Sequence, residues 1–218
     1  MAFARRNARE PAADQAYAVI RSRILELTYA PHELLSENGL ATEFETSRTP
    51  VREALKRLEG EGLVEVRPQQ GTFVSPIRRE LVMDAQYARS ALECALVADA
   101  ARLRSDEDLH ALEFNLAAQI RAAERQDFDL LFKLDEDMHK QIAAAARRTA
   151  VWDVIADIKI HMDRARKLSL KPYHVPTLIE QHQAIIQAIA TGREDDAVAA
   201  MRDHLGFVVE HFDELVER

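Results

Sequence analysis

Three histidines and one aspartate in the second half of the chain have the residue types and spacing of a metal site. Asp135 and His139 are four residues apart, so on a helix their side chains lie on one face, about 5–6 Å apart. Gly192 interrupts the helical pattern ten residues after His182 and twelve before His204. In an antiparallel helix pair these two histidines fall at one level, because each lies about 15–18 Å from the turn. The spacing therefore predicts a divalent metal held by these four side chains.

Three imidazoles and one carboxylate favour Zn²⁺, with Ni²⁺ or Mn²⁺ as alternatives. Asp137 is a rival carboxylate, but two residues from His139 it points to another side of the helix. The same cluster has a second interpretation, since metal-activated water is the nucleophile of many hydrolases and lyases. That chemistry needs an additional base, and neither Glu136 nor Asp137 lies in a motif that supplies one. A third interpretation is a purely structural metal.

A second set of residues, in the first half of the chain, has the pattern of a DNA-reading helix. The apolar positions form one stripe at helical spacing: Val51, Ala54, Leu55 and Leu58. The opposite face carries Arg48, Arg52 and Lys56. Because the two arginines are four residues apart, they reach the same groove, where an arginine fork can bind guanine O6 and N7 together.

The ends of this helix are also predicted. Pro50 is tolerated only in the first turn and Ser47 or Thr49 can cap free N–H groups, so the helix begins near Arg48 and its N-terminus suits a phosphate. Downstream, residues 63–67 and 72–74 alternate like two strands around a turn in which Gly71 supplies the unusual backbone angle, as in a β-wing. The predicted DNA contacts are Ser47, Arg48, Thr49, Arg52, Lys56, Gln70 and Gly71.

The basic helix and the candidate metal site belong to two different predicted domains. Two more helices, over 14–28 and 37–44, precede the basic helix, the second capped by Ser36. After residue 79 the apolar period is 3.6 and breaks predict about six helices, over 79–103, 106–125, 127–146, 150–168, 176–190 and 193–216. The predicted fold class is mainly α: a winged helix-turn-helix over 11–76 and a C-terminal antiparallel all-helical bundle over 79–218. Residues 1–10 are predicted to form a flexible basic tail.

Charge is distributed unevenly between the two domains. The net charge is −8, yet residues 1–78 hold 11 basic and 11 acidic side chains, and the remainder holds 18 and 26. This balance argues against a histone-like nonspecific binder and favours DNA contact through one local patch. The chain has a single cysteine and no run near ~18 apolar residues. We therefore expect a cytoplasmic protein without membrane partners, associated with the nucleoid when bound to DNA.

The run Ser47-Arg48-Thr49-Pro50-Val51-Arg52-Glu53-Ala54-Leu55 resembles the recognition helix of the GntR family of bacterial transcription regulators. This resemblance covers residues 11–76, with departures at Thr46, where the family usually has an aliphatic residue, and Asn38, where an arginine is common. The second half resembles the FCD domain of the FadR-like branch, whose metal-binding members use Asp-x-x-x-His on one helix and a histidine on each of the last two. About six helices, rather than seven, resemble the VanR-like subgroup.

The resemblance implies a metabolite-responsive regulator that is not an enzyme. Its expected partners are double-stranded operator DNA, a second copy of the chain in a homodimer, and a small organic acid that releases a repressor from its operator. The stretch from Arg89 to Glu93 resembles the family's Arg-x-x-Leu-Glu, whose arginine meets the acid in the effector cavity. A guanidinium fork matches a carboxylate well. The alternative for Arg89 is an ion pair with Glu93, four residues away.

Overall fold

The computed structural model describes residues 11–169 and 172–212, and the predicted tail over 1–10 lies outside them. The chain divides into two compact units, residues 1–77 and 78–218. The elements are, in chain order, α1 (Ala12–Leu25), β1 (Leu34–Leu35), α2 (Glu37–Glu43), α3 (Arg48–Gly60), β2 (Val64–Arg67), β3 (Gly71–Val74), α4 (Arg79–Leu103), α5 (Asp106–Glu124), α6 (Phe128–Ala145), α7 (Thr149–Ile158), α8 (Ile160–Ser169), α9 (Val175–Thr191) and α10 (Glu194–Glu210). None of the helices over these residues combines the length and the hydropathy needed to cross a bilayer.

The first unit is a three-helix cluster with a small sheet. Helices α1 and α2 both pack against α3, and Ile20 and Ile24 of α1 are fully buried. All four positions of the predicted apolar stripe of α3 are buried, and the basic positions between them are exposed. The predicted orientation of α3 is therefore confirmed. Helix α1 ends before Thr28 because Leu27 has a left-handed φ of 58°, which a right-handed helix cannot continue through.

The sheet contains a strand that the sequence pattern does not reveal. Its order is β1-β3-β2, antiparallel throughout, with Leu35 opposite Thr72 and Val66 opposite the same threonine on the other side. Strand β1 has only two residues, too few to display alternation, and exists through its pairing with β3. Gly71 opens β3 with φ +123°, as predicted for the wing, because that backbone angle is disfavoured for residues with a Cβ.

Two glycines of this unit should respond in opposite ways to alanine. Gly39 lies inside α2, and an added Cβ would lie 3.4 Å from the Ser36 Cβ, an ordinary contact. We expect Gly39→Ala to stabilise the unit by about 0.5–1 kcal/mol, because alanine loses less backbone entropy in a helix. Gly71 has φ +123°, an angle that strains any residue with a Cβ, so Gly71→Ala should lower the melting temperature. Thermal denaturation of both variants tests this; equal shifts would contradict it.

The second unit is a helical bundle arranged around α4. This helix packs against α6, α7, α8, α9 and α10, and α5 packs against α6 and α9. The core includes fully buried side chains from four of these helices, among them Val97, Ile142, Ile185 and Met201. Helices α9 and α10 meet at Gly192, whose φ of 69° ends α9 in the left-handed conformation. The antiparallel pair expected from that glycine is therefore present.

One predicted helix of the bundle is wrong. The segment 150–168 is divided at Lys159 into α7 and α8, so the described part of this unit contains seven helices. Lys159 is only 3% exposed, and its Nζ lies 2.5 Å from Glu136 Oε2 and 2.6 Å from Asp163 Oδ2. No proline or glycine marks the break. Seven helices remove the reason for assigning the VanR-like subgroup. The last predicted helix residues, 213–216, lie outside the described residues.

Candidate functional site

The four residues of the predicted metal site lie together inside the bundle. Helix α6 carries Asp135 and His139, α9 carries His182 and α10 carries His204, and all four are buried. One potential ligand atom from each lies within 4.8 Å of all the others. The rings of His182 and His204 have centroids 4.7 Å apart. His182 and His204 thus lie at the same height along the antiparallel pair of α9 and α10, as the position of Gly192 predicted.

The potential ligand atoms converge on a single point. His139 Nε2 is 3.1 Å from His204 Nε2 and 3.9 Å from Asp135 Oδ1. His182 Nε2 is 3.1 Å from the same carboxylate oxygen. In this arrangement three imidazole nitrogens and one carboxylate oxygen surround a common centre.

Polar neighbours behind the rings select which imidazole nitrogen faces that centre. His182 Nδ1 donates to Gln119 Oε1 at 2.5 Å. Gln119 Nε2 in turn donates to Asn115 Oδ1 at 2.7 Å, which turns the amide oxygen toward the ring. His139 Nδ1 contacts the Glu93 carboxylate. In both rings Nδ1 contacts a partner on the side away from the cluster. The Nε2 lone pairs are therefore directed toward the common centre, as a metal ligand requires.

Burial and neighbouring charges set the protonation states. Burial lowers the pKa of His182, and burial together with the other two imidazoles lowers the pKa of His204 well below its usual value. Burial by itself would raise the pKa of Asp135, but Arg166 and the histidines hold it well below its ordinary range. At neutral pH Asp135 is therefore ionised and His182 and His204 are neutral, the forms that bind a divalent metal. The donor set fits such an ion.

A cavity beside the cluster contains an arginine that sequence reasoning missed. It encloses about 560 Å³ of space, counting its open mouth, and is lined by Arg89, Phe132, Asp135, Arg166, His174, Leu178, Gln181, His204, Leu205, Phe207 and Val208. Arg166 of α8 donates to Asp135 and Glu136, and lies 3.2 Å from Asp163. The partner Asp135 is 31 residues away, so no periodic pattern connects them. His174 also lines the cavity, although no motif includes it.

Arg89 forms the ion pair with Glu93 and also lies at the wall of the cavity. It is 1% exposed, its Nε donates to Glu93, and it also lines the cavity. Its Nη2 lies 3.1 Å from His139 Nε2. Although burial alone would raise the pKa of Glu93, the charge of Arg89 and the contact with His139 lower it to about 2. The Arg89–Glu93 pair therefore remains ionic beside the cluster.

The outward face of α3 is a separate candidate surface. Arg48, Arg52 and Lys56 are exposed, as are Ser47 and Thr49 at the start of the helix and Gln70 and Gly71 in the wing. Ser47 occupies the N-cap position, but its side chain makes no capping hydrogen bond. Both arginines donate to Glu37 of α2, a contact that the sequence pattern does not reveal. Those hydrogen bonds lower the pKa of Glu37 to about 2, so it is ionised at neutral pH.

Comparisons with known proteins agree with this architecture. Residues 12–74 match the "Bacterial regulatory proteins, gntR family" and residues 84–207 match the FCD domain. The "HTH-type transcriptional repressor RspR" of Escherichia coli K12 is 36% identical over 91% of this chain and 88% of its own length. An "HTH-type transcriptional regulator in unstable DNA locus" of Streptomyces ambofaciens is 38% identical over 91% of this chain and 84% of its own. The structure of "E. coli McbR/YncC" aligns with a TM-score of 0.75 at 19% identity, covering 93% of this chain and 99% of that one, and supports the fold.

Matches to both domain families and to curated relatives identify this protein as a bacterial transcription regulator. The chain belongs to the GntR family, in the group with an FCD domain. Members named by these comparisons are regulators, not enzymes, which sets aside the hydrolase or lyase interpretation of the cluster.

Proposed function

We propose that this protein is a metabolite-responsive repressor that releases its operator when a small organic acid binds beside a metal. The observation that carries this proposal is the buried Asp/His₃ cluster bordering a cavity that also contains two arginines. A cavity beside a potential metal site is suited to binding a metabolite, and the relative named a repressor favours that direction of control.

In this proposal, a homodimer binds double-stranded operator DNA with one α3 helix in each half-site. Two recognition helices are needed because winged-helix regulators read half-sites spaced by the DNA pitch. Exposure of every predicted contact supports the assignment of Ser47, Arg48, Thr49, Arg52, Lys56, Gln70 and Gly71 to the DNA surface. The unbonded Ser47 side chain and the free N–H groups of the first turn suit a phosphate.

Asp135, His139, His182 and His204 would hold the ion, with Zn²⁺ favoured and Ni²⁺ or Mn²⁺ as alternatives. When bound, a divalent metal with a free coordination position supplies a Lewis acid for a carboxylate oxygen. Gln119 and Glu93 hold the two rings with Nε2 inward. Such outer partners orient ligands and raise metal affinity.

The arginines select the class of effector. Arg89 and Arg166 both line the cavity, and a guanidinium binds a carboxylate through two parallel hydrogen bonds. Leu178, Leu205 and Val208 supply apolar walls, which strengthen that pairing by excluding water. We therefore propose a small mono- or dicarboxylate as the effector.

The proposal is tested by titrating small mono- and dicarboxylates into the metal-loaded protein bound to labelled operator. An active acid should release the DNA, and Arg89→Lys should need roughly 10- to 100-fold more acid, because lysine keeps the charge but lacks the fork. Lysine is preferred to alanine here, since alanine would leave the 2%-exposed Glu93 without its charged partner. Arg121→Lys, at an exposed position of α5, is the control. An unchanged response of Arg89→Lys would place acid sensing elsewhere.

A further inference from the structure

Glu37 joins the two arginines on the outward face of α3. Arg52 Nε donates to Glu37 Oε1 at 3.1 Å and Arg52 Nη2 donates to Oε2 at 2.8 Å. Arg48 Nη2 donates to the same Oε2 at 3.0 Å. The side chains of Arg48 and Arg52 remain 58% and 63% exposed. One carboxylate from α2 thus holds two guanidinium groups that are still accessible from outside.

The edge of Arg52 that Glu37 occupies is significant for base reading. A guanidinium carries five N–H donors in a rigid plane, with one edge formed by Nε and one terminal nitrogen and another formed by the two terminal nitrogens. Glu37 uses the first edge of Arg52. The second edge stays available, and a pair of parallel donors is what guanine O6 and N7 accept. The carboxylate therefore fixes the guanidinium plane without consuming the edge that would meet a base.

The charge of Glu37 has a separate consequence for binding to arbitrary sequences. Nonspecific affinity comes almost entirely from cations that neutralise phosphates. With Glu37 ionised, the group formed by Arg48, Arg52 and Glu37 carries a net charge of +1 instead of +2. Attraction to phosphates is reduced, whereas hydrogen bonds to base edges, which carry no formal charge, depend less on this net charge. Both effects increase the difference between operator and nonspecific DNA.

We propose that Glu37 is a positioning residue for DNA sequence discrimination: it orients Arg48 and Arg52 toward base edges and weakens their attraction to phosphates. This inference rests on the proposed DNA-reading role of the two arginines. It adds a role for a side chain that itself acts on DNA only through them.

The test compares Glu37→Gln with Glu43→Gln in the full-length protein. Glu43 lies on the same helix and pairs with Arg23 at 2.5 Å, so its replacement removes the same charge without touching Arg48 or Arg52. The probes are a duplex selected by the wild-type protein from a random pool and a scrambled duplex of equal length. The readout is the dissociation constant for the scrambled duplex divided by that for the selected duplex, measured at several salt concentrations.

We expect Glu37→Gln to lower that ratio by roughly threefold to tenfold, because a rotamer-rich side chain must then be ordered on binding. Nonspecific binding should tighten, with a salt slope steeper by up to about 0.9 per subunit. Glu43→Gln should leave the ratio at the wild-type value. In proteins that already carry Arg48→Ala and Arg52→Ala, Glu37→Gln should no longer change the ratio.

A ratio for Glu37→Gln equal to that of Glu43→Gln would overturn the positioning role. A parallel loss of operator and nonspecific binding with a lower melting temperature would also overturn it, because that pattern reports a merely structural contact. If instead Arg48→Ala and Arg52→Ala leave operator affinity unchanged, the DNA-reading assignment itself fails. The two failures are therefore distinguishable.

Discussion

Replacing Arg48 or Arg52 with alanine is expected to weaken operator binding by roughly 5- to 150-fold for each half-site, because a bidentate arginine–guanine pair carries about 1–3 kcal/mol of discrimination. A homodimer would lose the contact twice, so the combined loss would be larger still. Both side chains are more than half exposed, and their replacement leaves the buried face of α3 intact. The melting temperature should therefore stay close to the wild-type value.

Arg57→Ala is the matched control for this measurement. Arg57 lies on the same helix and carries the same charge, but its guanidinium lies 3.8 Å from the Tyr17 ring centroid and pairs with Asp14 at 2.5 Å. Fluorescence anisotropy with labelled operator should give near wild-type affinity for this variant. Wild-type affinity for Arg48→Ala and Arg52→Ala in folded protein would contradict the placement of the two arginines at the bases.

Removal of metal is expected to give the second large effect. An ion that binds only the folded chain stabilises it by about 4 kcal/mol when its free concentration is ~1,000 times Kd. For a chain of this size, that corresponds to roughly 8–16 °C in Tm. Calorimetry before and after chelation should show this decrease, and adding back the metal should reverse it. Elemental analysis should find one divalent ion per chain.

Two variants separate the site from ordinary histidines. His182→Gln removes one converging Nε2 from the buried cluster and should abolish both metal uptake and the chelator effect on Tm. His110→Ala replaces an exposed histidine on α5 and should change neither. Purified protein that contains no metal and takes up none of Zn²⁺, Ni²⁺ or Mn²⁺ would contradict the assignment. A Tm that depends on metal, with operator release by acids that does not, would indicate a structural ion.

Features governed by neighbours within one or two helical turns could be predicted from the sequence. The apolar stripe of α3 and the basic face opposite follow from the helical period alone, and the limits 79–103 of α4 follow from breaks in that period. The four-residue spacing of Asp135 and His139 places both side chains on one face of any helix. Gly192 marks the turn between α9 and α10. The matching heights of His182 and His204 along these helices therefore follow from their distances in sequence to that glycine.

The tertiary structure decided which distant charged groups meet. The contact of Arg166 with Asp135 spans 31 residues, that of His182 with Gln119 spans 63, and that of Arg52 with Glu37 spans 15. Periodicity identifies which side of a helix is buried, but it carries no information about which partner helix covers that side. Lys159, between α7 and α8, likewise pairs with a carboxylate on α6 that its own neighbours along the chain do not predict. Sequence spacing thus determined the metal-ligand candidates and the basic face, whereas long-range packing determined the side chains that orient them.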